Sequence, residues 1–262
     1  MLKLKDQIDN VVELEKSASR IVCLVPSITE FLYDLGLEDK VLGITKFCVH
    51  PQHWLKEKQI VGGTKQQHID KIRALKPDLI IASKEENVKH YVEKLCKISP
   101  VYVSDVNDFD SALGMMNDIA LLTNNADTAK KLNHDIVNKF NHIDKPIVNI
   151  KIAYCIWKNP WMWAGTDTYI SNMLSHCGFE NTLKQNRYPE MEMLDVIKES
   201  PDFIFLSSEP FPFQSKHIDE LKTEFPKTRF MIVDGEMFSW YGSRMLKAPE
   251  YFNSLLGQLK SK

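Results

Sequence analysis

No apolar run in this 262-residue chain is long enough to span a bilayer. Charge of one sign is missing as well: the formal net charge is −2 at pH 7, which leaves no basic footprint for nucleic acid or an anionic surface. The five cysteines, Cys23, Cys48, Cys96, Cys155 and Cys177, are odd in number and contain no C-x-x-C pair. That argues against a disulfide framework and a structural zinc site, and for reduced, mostly buried thiols. The first ten residues, MLKLKDQIDN, lack the apolar core and cleavage site of a secretory signal. The expected compartment is therefore the cytoplasm, or the periplasm or cell surface if a signal has been removed. Catalytic signatures are equally scarce. The chain has no G-x-S-x-G elbow, no Walker phosphate loop and no G-x-G-x-x-G fingerprint.

What is present is an internal echo. Residues 74–83 read ALKPDLIIAS and residues 198–207 read KESPDFIFLS. Each is a helix end stopped by Pro-Asp and followed at once by an apolar strand without polar alternation, as expected of parallel strands covered on both faces. Ser27 and Glu30 have the spacing of a capping box that opens a helix through Leu35, closed by Gly36. In the second half, helical spacing from Tyr169 to Cys177 stops at Gly178. Further short strands are read at 101–105, 150–154 and 230–234.

Alternating strands and helices in both halves predict an α/β fold of two small parallel-sheet lobes with a cleft between them. Between the halves, Ala126, Ala129, Leu132, Ile136, Val137, Phe140 and Ile143 recur at helical spacing. They predict one long, stiff connecting helix of roughly 30 Å. The expected organisation is residues 1–122 as the N-terminal lobe, 123–146 as the connecting helix and 147–262 as the C-terminal lobe.

Three loops that follow strands are rich in aromatics: Trp157, Trp161 and Trp163; Phe211 and Phe213; Trp240 and Tyr241. The carboxyl edge of an open α/β sheet lines its ligand crevice, so a pocket is favoured over the usual fate of tryptophan, the core. Arg244 would add a fixed charge or a hydrogen-bonding fork. For His50, His53 and His68, no cysteine or carboxylate completes a recognisable metal set. One of these histidines contacting a ligand is the functional reading, and loop solvation the plainer one.

These same residues carry a resemblance. Residues 20–30 (RIVCLVPSITE), 41–51 (VLGITKFCVHP), 61–63 (VGG), 69–78 (IDKIRALKPD), 164–168 (AGTDT) and 178–181 (GFEN) together resemble the helical-backbone metal receptor family. That family holds the cobalamin-, haem- and iron-siderophore-binding proteins of ABC importers, and the likeness runs from about Asp6 onward. It implies two lobes on a rigid helix, no catalysis, no intrinsic cofactor, a monomer, and a metal chelate as ligand: cobalamin, haem or a ferric siderophore. The cobalamin branch fits best. By resemblance, Phe47, His50 and Tyr188 lie in ligand-contacting stretches and join Trp161, Trp163, Trp240, Tyr241 and Arg244 as the expected binding set. Asp70 matches the acid that docks on a permease from the first lobe, against the plain reading of a solvated carboxylate. Its counterpart in the second lobe is Leu194, which cannot make that ion pair, with Asp195 or Glu192 as substitutes. The rival expectation is a tetrapyrrole enzyme or chaperone of chelatase-like architecture.

Overall fold

The computed structural model of the chain describes residues 1–260, which divide into two compact units. The first comprises Met1–Val106, Asp110–Ile136 and Tyr241–Arg244; the second comprises Asn107–Phe109, Val137–Trp240 and Met245–Lys262.

In the first unit, five parallel strands lie in the order Gln59–Ile60, Val41–Ile44, Ile21–Cys23, Leu79–Ser83, Val101–Ser104. The last three are buried along their whole length, which matches their unbroken apolar sequences. In the second unit the order is Phe179–Asn181, Ile150–Trp157, Phe203–Ser207, Phe230–Val233, again parallel. Met162–Trp163 pairs antiparallel with Ile150–Trp157. Both sheets are wound alike. The chain starts on an inner strand, fills one side of it with two strands in the first sheet and one parallel strand in the second, then crosses to the other. Each sheet therefore has a switch point, where connections leave two neighbouring strands in opposite directions, the place at which open α/β sheets bind ligands.

The Pro-Asp echo has one physical meaning in both units. Lys76 and Ser200 end their helices in left-handed backbone, with φ of 46° and 55°. The Asp that follows each proline then ties down the start of the neighbouring inner strand. Asp78 Oδ1 accepts the Arg20 N–H at 2.9 Å, and Asp202 Oδ2 accepts the Lys151 N–H at 2.8 Å.

Two expectations are corrected. The helix at 27–35 begins one residue earlier, at Pro26, with no side-chain cap, so Ser27 and Glu30 form no capping box. Proline at the first turn explains this, since it needs no N–H partner there. The connecting helix is Ala126–Phe140, 15 residues or about 22 Å, shorter than expected. It is preceded by a second 15-residue helix, Phe109–Thr123, and Asn124 at φ 61° separates the two.

At the N-terminus, strands Leu2–Lys5 and Val11–Leu14 form an antiparallel hairpin whose turn closes the outer edge of Val101–Ser104. Asp6 Oδ2 accepts the Val103 N–H at 3.1 Å, and Gln7 Oε1 accepts the Asp105 N–H at 2.9 Å. Side chains thus satisfy backbone donors that would otherwise template a foreign strand. No helix among the described residues is long and apolar enough to cross a membrane.

Candidate ligand site

In the second unit, the loops leaving the switch-point strands Ile150–Trp157 and Phe203–Ser207 build an aromatic platform. Trp157, 38% exposed, meets Phe211 edge to face with ring centroids 5.6 Å apart. Trp161 lies parallel to Phe213, at an interplanar angle of 2° and a centroid distance of 6.2 Å. Lys158 Nζ sits 5.8 Å over the Trp161 ring and pairs with Glu220 at 2.8 Å. Trp163 does not join this surface. It is fully buried, and its indole N–H donates to the Met191 carbonyl at 2.9 Å. Its partner is already supplied, so its place is the core. Tyr188 is half-buried beneath the Arg187 guanidinium, 5.6 Å from the ring centre.

The strand Phe230–Val233 leads into the short helix Gly235–Ser239 and then Trp240. Trp240 is only 8% exposed, and its indole N–H donates to Glu209 Oε1 at 2.8 Å. Ser239 Oγ donates to the same oxygen at 2.7 Å. Burial pushes the Glu209 carboxyl above its ordinary pKa; the hydrogen bonds from Ser239 and Trp240 oppose the rise, and the charges of Glu236 and Asp234 add to it. Gly235 is required here, because a Cβ would collide with Ser207 Oγ and stand 2.5 Å from Glu209 Cγ.

In the first unit, Phe47 follows the strand Val41–Ile44, is 49% exposed, and has Lys46 Nζ 5.0 Å over its ring. His50 is half-buried in the same loop. Tyr241 is buried at the carboxyl ends of Leu79–Ser83 and Val101–Ser104; desolvation raises its pKa, against hydrogen bonds to Ser83 and Ser104. Arg244 is buried too, its Nε 2.8 Å from Glu30 Oε2. The expected free charge is therefore already paired, and Glu30 is the partner that the Ser27–Glu30 spacing disguised.

On the outer helices, Asp70 in Ile69–Ala74 is almost fully exposed and pairs with Arg73 at 2.6 Å. In the matching helix Met193–Lys198, Leu194 is 57% exposed while Asp195 pairs with Lys198 at 2.7 Å. No group of three or more His, Cys, Asp or Glu among the described residues could hold a metal ion. Burial holds the Cys48 thiol at about 11 and the Cys155 thiol at about 12, so neither offers a thiolate nucleophile near neutral pH.

Sequence reasoning missed Glu209 and Glu30. Glu209 had a signal: it is a charged residue two positions beyond a buried strand, inside the run EPFPF.

Known proteins of related sequence and shape share this fold. A family model described as periplasmic binding protein matches residues 21–228. The vitamin B12-binding protein of Vibrio cholerae is 26% identical over 196 residues, covering 72% of this chain and 71% of that protein. The crystal structure of the periplasmic vitamin B12 binding protein of Vibrio cholerae superposes with a TM-score of 0.73 at 22% identity, covering 94% of this chain and 99% of that one. The periplasmic haem-binding protein of the same organism gives a TM-score of 0.77 at 19% identity, covering 90% and 98%.

Proposed function

Because the chain belongs to the periplasmic binding protein family, we propose that it captures a corrinoid of the cobalamin type, without chemical turnover, for an ABC importer. The aromatic cluster at the switch point of the second sheet carries this reading: Trp157 is exposed, Trp161 and Phe211 are half-buried, and Phe213, itself only 3% exposed, packs against Trp161 from the core. Such rings offer a flat, apolar bed for a macrocycle and shed water cheaply when covered. Phe47 stands at the carboxyl end of a strand in the first sheet and adds a second exposed ring there. Tyr188 in the second unit and His50 in the first are half-buried and stand as further contact residues of their own units; Trp240 backs the loops of the second unit, and Tyr241 and Arg244 those of the first, from buried positions.

In this reading the protein works where its relatives do, outside the cytoplasmic membrane. Asp70 meets a basic residue of a permease, while the second unit presents Leu194 at the matching position.

The test is a titration of the purified protein with cyanocobalamin, cobinamide, haemin and a ferric siderophore, following tryptophan fluorescence and the ligand's visible spectrum. Saturable corrinoid binding at micromolar or tighter affinity, with the ligand recovered unchanged, is the expected result. Binding of none of them, or recovery of an altered macrocycle, overturns the reading.

A further inference from the structure

Glu209 is held at the carboxyl edge of the second sheet by two side-chain donors on a single oxygen. Oε1 receives both Ser239 Oγ and Trp240 Nε1, which fixes the carboxyl group without using Oε2. The backbone behind it is tied as well: Ser207 Oγ donates to the Glu209 carbonyl at 2.5 Å and in turn lies 3.1 Å from the Tyr154 hydroxyl. Oε2 takes no hydrogen bond from the described residues and is not among their enclosed, unpartnered polar atoms, so it is left available to a ligand. No Lys, Arg or His among the described residues pairs with Glu209; the charges that reach it are those of Glu236 and Asp234, both negative. A carboxyl group fixed by one oxygen, open at the other and set among like charges is built to accept a hydrogen bond from a ligand.

We propose that Glu209 is a specificity-determining residue, whose open oxygen accepts a hydrogen bond from neutral N–H donors on the ligand's rim and disfavours a rim that carries carboxylates. This inference rests on the corrinoid reading and adds the basis of a choice within it. The corrin rim is fringed with carboxamides, which donate; the haem rim carries two propionates, which would meet Glu209, Asp234 and Glu236 as like charges. Specificity of this kind comes as much from the repulsion as from the bond. A site built to accept a hydrogen bond also loses far more from a missing donor than from a small misfit of shape.

The experiment compares the affinities of cyanocobalamin and haemin for the wild-type chain and for E209Q. Glutamine keeps an oxygen for Ser239 and Trp240 but turns an amide N–H outward, from acceptor to donor. E209Q should bind cyanocobalamin about tenfold more weakly and haemin more tightly. S239A, which frees the carboxylate from one anchor, should lower the cyanocobalamin-to-haemin preference by a smaller factor. It also serves as the readout should E209Q not fold. A preference unchanged in both variants, or equal losses for both ligands, overturns the proposal while leaving the corrinoid reading intact. A wild-type chain that binds neither ligand overturns both.

Discussion

Two tryptophans on paired strands, on either side of one short loop, separate at the scale of single residues. Trp163 is fully enclosed and hydrogen-bonded, so W163A should cost about 3–5 kcal/mol of stability, read from chemical denaturation. Trp157 keeps 38% of its surface exposed; W157A should change stability by no more than about 1 kcal/mol yet weaken corrinoid binding several-fold in the same titration. Equal stability losses in the two variants would show that Trp157 is packed like its neighbour. Glu209 makes a prediction in pH. Its folded pKa is raised, chiefly by burial, above the unfolded value of about 4.3. Its contribution is therefore fully present below that unfolded value and is lost as pH rises through the folded one. Wild type should lose melting temperature relative to E209Q over that interval, starting from about pH 4. Parallel curves for the two proteins would show that the carboxyl group is not strained by ionising in the fold.

The repeated helix–Pro-Asp–strand segment makes a prediction at the element scale. Asp78 accepts the Ser19 N–H, the Ser19 hydroxyl and the Arg20 N–H, at 3.0, 2.7 and 2.9 Å; Asp202 accepts the Lys151 N–H at 2.8 Å. D78A should destabilise by about 1–3 kcal/mol, and D202A by less, because fewer donors lose their partner. Equal effects would place the strain in the turns at Lys76 and Ser200 and not in the carboxylates. This element was legible from sequence, since Pro-Asp before an apolar run is a local signal. The Ser27–Glu30 capping box was misread for the opposite reason. Its spacing is correct, but Glu30 is bound by Arg244, 214 residues away. No local pattern records a partner at that distance.

Across the whole molecule, ligand binding and folding are linked. A ligand that binds only the folded chain should raise its stability by about 2.7 kcal/mol at a hundredfold excess over Kd, seen as a rising melting temperature. Cyanocobalamin should produce that rise, and its absence would mean that the corrinoid is not the ligand.

By itself the sequence determined what period and punctuation encode: parallel strands from apolar runs without alternation, helix stops at Pro-Asp and Gly, and a repeated helix–strand plan in two halves. It also placed the aromatic-rich segments at strand ends, beside the switch point in the second sheet. Only the tertiary structure decided which of those aromatics are core and which are surface. Trp163 and Trp157 flank the same short loop, and their difference is whether another segment supplies an acceptor and covers the ring. It also decided that Arg244 and Trp240 are already engaged, by Glu30 and Glu209. The reason is physical. Burial and hydrogen-bond pairing belong to residues far apart in the chain, whereas periodicity belongs to neighbours.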